Sequence, residues 1–95
     1  MTPGYLTNRF VKALREEEVD VKIRPLGKYA GFFILATVFI DHRGGDVLGT
    51  VVHELLHYLY EYKPHKWIYK QEGEWIKKAS WKMKKRVLQE LLYRT

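Results

Sequence analysis

Residues 50–62, TVVHELLHYLYEY, decide how the rest of the chain is interpreted. On a helical wheel of about 100° per residue, the apolar side chains of this stretch occupy one broad face. His53 and His57 share a narrow polar sector on the other side, one helical turn apart, and Glu54 lies beside that sector. The spacing therefore predicts an amphipathic helix that presents two imidazoles and one carboxylate close together.

The same residues form the pattern H-E-x-x-H, which carries a known chemistry when it lies on a helix. The ring nitrogens of His53 and His57 can converge on one zinc ion, with bonds of roughly 2.0–2.1 Å. Zinc lowers the pKa of a bound water from about 15.7 towards 7, and Glu54 would take the proton as this water attacks a peptide carbonyl. We therefore expect one catalytic zinc ion, with His53 and His57 as ligands and Glu54 as the general base. The alternative interpretation is a solvated polar helix face.

A zinc site of this kind needs a third protein ligand. The sequence offers four candidates: Glu61, His65, Glu72 and Glu74. Glu61 lies two turns beyond His53 on the same helix, and His65 would have to be brought back by a turn. Glu72 and Glu74 are near the start of the last predicted helix, where an antiparallel neighbour could approach the metal. Helical-wheel spacing leaves the choice between these two open.

An N-terminal helix and a small sheet are expected before the H-E-x-x-H helix. Apolar side chains recur every four residues in the first segment, which predicts a helix from about Pro3 to Glu18. Alternation from Val19 to Ile23 predicts a half-buried strand. The run YAGFFILATVFID, residues 29–41, predicts one long strand or two short ones. The expected fold is therefore α+β: an N-terminal helix, a small twisted β-sheet, the active-site helix and a C-terminal helix that bears the glutamates.

Two helices are expected in the second half of the chain. The H-E-x-x-H helix should run from after Asp46, a good N-cap, to about Tyr62, because Pro64 ends it. A last helix should begin between His65 and Glu72 and reach almost to the C-terminus. With 95 residues and no visible linker, we expect one domain spanning residues 1–95.

Composition restricts the remaining possibilities. The chain has no cysteine, which excludes a disulfide framework, an iron–sulfur cluster and a thiolate zinc site. No signal peptide is apparent and the longest apolar run is too short to cross a bilayer, so a cytoplasmic location is expected.

The basic charge suggests a second class of function. The net charge is +6, and much of it lies between Lys77 and Arg86. The alternative function is therefore a non-catalytic basic domain that binds nucleic acid or anionic lipid through its lysine-rich C-terminal helix. Trp75 and Trp81 could stack on bases within this segment, although a core role is favoured for both.

Two segments, HELLH at residues 53–57 and EGEWIKKA at residues 72–79, resemble the minigluzincins. These are short soluble zinc metallopeptidases of thermophilic prokaryotes, in the gluzincin clan. The resemblance implies a zincin-like fold, peptide or protein substrates and no specific nucleic-acid partner. Related metallopeptidases carry a ligand glutamate followed by an aromatic residue, which GEW matches, so the third-ligand role falls on Glu74. They usually place an aspartate four residues later, where this chain has Lys78, so Glu72 stays as the alternative third ligand.

The resemblance also implies a latent form, a zymogen whose C-terminal segment obstructs the cleft. A monomer or a helix-swapped dimer is expected. A group that stabilises the tetrahedral intermediate is needed as well. Tyr62, His65 and Tyr69 are the candidates, and the sequence leaves the choice among them open.

Overall fold

The computed structural model describes residues 1–16, 19–23, 31–34, 37–40 and 47–94; for Ile23, Arg94 and residues 31–34 and 37–40 it describes the backbone alone. The described helices are α1 (Pro3–Arg15), α2 (Val47–Leu59), α3 (His65–Lys78) and α4 (Trp81–Arg94). The described strands are β1 (Asp20–Ile23), β2 (Gly31–Ile34) and β3 (Thr37–Ile40). None of these helices has both the length and the apolar content needed to cross a membrane.

Hydrogen bonds cap helix α1 at both ends. The Thr2 hydroxyl oxygen accepts a hydrogen bond of 3.2 Å from the Tyr5 N–H, which satisfies one of the free donors of the first turn. The helix ends at Arg15, and the N–H of Glu16 bonds back to carbonyls of the last turn. It is therefore shorter than the predicted helix, whose expected end at Glu18 lies outside the described residues.

The described core lies between the helices. Buried apolar residues that the structure describes lie on the helices, with three exceptions: Val19, Val21 and Ala79. Helix α1 packs along α4, and α3 contacts both α1 and α2. Trp75 of α3 is only 1% exposed, and its ring meets that of Phe10 edge-on with centroids 5.5 Å apart. Trp75 thus joins α3 to α1.

The strands are short and make a minor part of the fold. β1 pairs in parallel with β3, and β2 pairs antiparallel with β3, so the order is β1-β3-β2. The β-rich run therefore contains two short strands, one of the two arrangements that the sequence allowed. Helix α2 contacts both β2 and β3.

The expected α+β fold built on a twisted sheet is wrong, because the described protein is predominantly helical and resembles a helical bundle. Each helix has 13 or 14 residues, whereas each strand has four. The physical reason is burial. Amphipathic helices bury their apolar faces against one another, and strands this short offer little surface for a separate layer.

The prediction of a single last helix is also wrong, since a break at Ala79 and Ser80 separates α3 from α4. Ala79 has an extended backbone, with φ −66° and ψ 138°. The Ser80 hydroxyl accepts a 3.2 Å hydrogen bond from the Met83 N–H, as a helix N-cap does. The break lets α4 turn back along α1.

Helix α4 is held to α1 by core and surface contacts. Val87 and Leu91 are buried in the core. On the surface, the Arg15 guanidinium donates to the Glu90 carboxylate at 2.8 Å. These contacts give α4 a structural role. The inhibitory role expected of the C-terminal segment stays a prediction.

Replacing Thr7 by valine should destabilise the fold. The Thr7 hydroxyl oxygen accepts a 2.9 Å bond from the buried Trp75 indole N–H. Valine has nearly the same shape but no acceptor, and a buried donor without a partner costs about 1–3 kcal/mol. We expect the free energy of unfolding in urea to fall by that amount. Thr7→Ser, which keeps the hydroxyl, is the matched control. Equal stability of the two variants would contradict this role of the hydrogen bond.

Candidate metal centre

A short turn between α2 and α3 builds the candidate site. Helix α2 ends at Leu59, earlier than the expected end at Tyr62, and the N–H of Lys63 donates to the Tyr60 carbonyl at 2.9 Å. Pro64 then has an extended backbone and precedes the first turn of α3. The two helices form a hairpin with a five-residue connection, so the first residues of α3 return to the C-terminal half of α2.

The two imidazoles of the H-E-x-x-H pattern converge. The Nε2 atoms of His53 and His57 are 3.2 Å apart, and the ring centroids are 4.7 Å apart. Two nitrogens that bind one zinc ion at roughly 2.0–2.1 Å can lie up to about 4 Å from each other. The observed separation therefore fits a shared ion, and a solvated helix face would not require it.

His65 joins this pair from the first turn of α3. Its ring centroid lies 5.0 Å from that of His53 and 4.8 Å from that of His57. Potential ligand atoms of the three histidines all lie within 4.8 Å of one another. This slightly exceeds the roughly 4 Å span of two zinc-bound nitrogens. His65 is exposed, so a small movement of its side chain would close the difference.

A carboxylate of α3 contacts one of these histidines, His53. Glu72 Oε1 lies 2.6 Å from His53 Nδ1. His65, Tyr69 and Glu72 are spaced by four and three residues, so they share one stripe of α3. The Tyr69 ring lies 4.8 Å from that of His53 and 4.6 Å from that of His65, between centroids.

Glu74 is not part of the three-histidine group that the described residues form. It lies two residues after Glu72, which corresponds to a rotation of about 200° around the helix axis. With Glu72 turned towards α2, Glu74 is on the opposite side of α3. The geometry therefore favours His65 over Glu74 as a candidate third ligand, and it places Glu72 in contact with His53.

Glu54 is nearly buried, with 8% of its surface exposed. Burial raises the pKa of the Glu54 carboxyl to about 7, and the nearby Glu72 carboxylate adds to this rise. A carboxyl group with a pKa near neutrality can both accept and release a proton at physiological pH. A perturbed group of this kind beside a ligand cluster is typical of a functional site.

The surroundings favour the neutral form of the imidazoles. Burial lowers the pKa of His53, and the nearby His65 lowers it further. Burial also lowers the pKa of His57, with smaller contributions from the other two histidines. Neutral imidazole is the form that binds a metal, so this environment suits a metal centre.

The structure separates the candidates for stabilising the tetrahedral intermediate, and it also locates Glu61, another candidate third ligand. Tyr69 and His65 lie at the cluster, whereas Tyr62 is 76% exposed and has the Lys63 ammonium 5.4 Å from its ring centroid. Glu61 is exposed in the turn after α2. Sequence reasoning missed the stripe formed by His65, Tyr69 and Glu72, although its spacing of four and three residues was visible once α3 was taken to begin at His65.

Comparison with known proteins found no similar protein. The chain matches no protein-family model, no curated protein and no solved structure.

Proposed function

We propose that the protein is a zinc-dependent endopeptidase. His53, His57 and His65 would hold the metal, and Glu54 would act as the general base. The observation that carries the proposal is the 3.2 Å separation of the His53 and His57 Nε2 atoms beside a nearly buried glutamate. An ordinary amphipathic helix would not be expected to combine two converging imidazoles with a nearly buried glutamate, because burying a carboxylate costs free energy.

The donor set suits zinc, which is commonly bound by imidazole nitrogens. When bound, the zinc ion supplies a Lewis acid that polarises a peptide carbonyl and makes water acidic near neutral pH. The Glu54 carboxylate takes a proton from the attacking water and delivers it to the departing amine. Tyr69, 61% exposed beside the imidazoles, is suitably located to contact a substrate.

The resemblance to the minigluzincins supports the choice of peptides as substrates. It also adds the latent form to the proposal, with the C-terminal segment as the obstruction. The packing of Val87 and Leu91 in the core means that removing α4 would also remove core contacts. Activation would therefore involve displacement of α4 with repacking of α1.

Glu54→Gln separates metal binding from catalysis. Glutamine keeps the shape of the side chain but cannot act as a base, so peptide cleavage should fall by roughly 10²–10⁴-fold. Zinc content, measured by mass spectrometry of the purified protein, should remain at the wild-type level. Glu61→Gln changes an exposed carboxylate of the following turn and is the matched control. Undiminished cleavage of an unfolded protein substrate by Glu54→Gln would contradict the assigned role.

A pair of variants tests the third ligand. His65→Ala should weaken zinc binding by more than the 10–100-fold that is typical of residues outside the ligand set. Glu74→Gln should not weaken zinc binding by more than that amount. Affinity can be measured by competition with a chromophoric chelator. The opposite pattern, with zinc binding lost in Glu74→Gln and kept in His65→Ala, would assign the ligand that the family resemblance implies.

One observation favours the alternative function as a basic binding domain. Trp81, for which a core role was favoured, is 69% exposed at the start of α4, whereas Trp75 is buried as expected. Four exposed lysines lie near it in sequence: Lys77, Lys78, Lys82 and Lys85. An exposed aromatic ring among cationic side chains is the usual composition of a surface that binds single-stranded nucleic acid.

Binding of a single-stranded oligonucleotide tests this second candidate. Affinity should fall steeply as salt is raised, because phosphate contacts release counterions. Trp81→Ala should weaken binding by about 1–3 kcal/mol, whereas Trp81→Phe should retain much of the stacking. Fluorescence anisotropy gives both results. Equal affinity of the alanine and phenylalanine variants would exclude stacking, and a chelator should have no effect on this interaction.

A further inference from the structure

We infer that Glu72 is a positioning residue, whose carboxylate accepts a hydrogen bond from the His53 Nδ1–H and directs His53 Nε2 towards His57 before a metal binds. The inference deepens the proposed function, because it assigns the residue that preorganises the metal site. The hydrogen bond and the His53 tautomer belong to the metal-free protein, so they can be tested without measuring peptidase activity.

The contact is short and shielded. Glu72 Oε1 and His53 Nδ1 are 2.6 Å apart, a distance typical of a strong hydrogen bond with an ionised partner. The side chains of His53 and Glu72 are only 13% and 24% exposed. Limited access of water makes such a bond stronger than it would be on an open surface.

The chemistry of the two groups determines where the proton lies. An ionised carboxylate can only accept hydrogen bonds, so Nδ1 of His53 must be the donor. A neutral imidazole has one N–H, which leaves Nε2 of His53 with a free lone pair. This is the nitrogen that lies 3.2 Å from His57. Glu72 thus selects the tautomer that a metal requires at this position.

The contact with His53 gives His57 the other tautomer in the metal-free protein. Two ring nitrogens 3.2 Å apart can form a hydrogen bond only if one of them carries the proton. Because His53 Nε2 is the acceptor, the proton belongs to His57 Nε2 in the metal-free protein. Metal binding at both Nε2 atoms requires His57 to give up this proton, while His53 keeps its tautomer.

Glu72 was one of the four candidate third ligands, and it lies outside the ligand set proposed here for a geometric reason. Its oxygen contacts Nδ1 of His53, and the two nitrogens of an imidazole ring point in different directions. Glu72 contacts His53 from a position seven residues after His65, on the same stripe of α3.

Nitrogen-15 NMR of the imidazole rings tests the inference directly. In the metal-free protein, His53 should be the Nδ1–H tautomer and His57 the Nε2–H tautomer. On addition of zinc, His53 should keep its tautomer and His57 should change to Nδ1–H. Observation of His53 as the Nε2–H tautomer in the metal-free protein would overturn the inference.

Variants of Glu72 provide a second readout. Glu72→Ala should raise the zinc Kd by about 10–100-fold and leave a stoichiometry of one. The X-ray absorption spectrum of bound zinc should show the same nitrogen ligands as the wild type. Loss of an oxygen ligand from that spectrum would make Glu72 a direct ligand and overturn the inference. Glu16→Gln, which changes an exposed carboxylate just after α1, is the control.

The outcomes distinguish this inference from the proposed function. A protein with the His53 Nδ1–H tautomer but without peptidase activity would support the role of Glu72 and contradict the proposed enzyme. An active peptidase whose metal-free form has His53 as the Nε2–H tautomer would leave the enzyme intact and remove Glu72 from its positioning role.

Discussion

The burial of Trp75 is the constraint on which the candidate site depends. Its ring packs against Phe10, and its indole N–H bonds to Thr7, so the rotation of α3 about its own axis is determined by contacts with α1. Glu72 lies about 60° from Trp75 around the helix, whereas Glu74 lies about 100° away in the other direction. The packing of Trp75 in the core therefore determines that Glu72, and not Glu74, contacts His53 of α2.

The interface of α2 and α3 contains a polar cluster beside the apolar core. A partly buried cluster of three imidazoles and two carboxyl groups contributes little hydrophobic stabilisation, and each member must find a partner or change its protonation state. The lowered pKa of His53 and the raised pKa of Glu54 have the same physical origin, because burial disfavours the charged form of both groups. The bond between Glu72 and His53 offsets part of this cost. Polar clusters of this kind are more common at functional sites than in structural cores.

Local features of the sequence predicted the relative positions of His53 and His57 better than they predicted the fold. H-E-x-x-H specifies helical spacing directly, so the convergence of His53 and His57 follows from 3.6 residues per turn. The side chains of α3 that lie beside these histidines depend on where this helix begins and how it is rotated, which are tertiary properties. The end of α3 was missed because helix propensity continues through Ala79, while the capping signal of Ser80 is a single hydroxyl. The predicted fold class was wrong because short β-rich segments were taken to form a sheet large enough to be a layer of the fold.

The five-residue connection between α2 and α3 has a consequence for the order of assembly. His53 and Glu72 are separated by 19 residues, whereas the ion pair of α1 and α4 joins residues 75 apart. By the logarithmic dependence of loop-closure entropy on length, the shorter loop closes at a cost lower by about 1 kcal/mol. By sequence separation, we expect the hairpin that carries the histidines to form early in folding and the contact between the first and the last helix to be the later step. A cation captured by the hairpin would stabilise a partly folded chain before that step is complete.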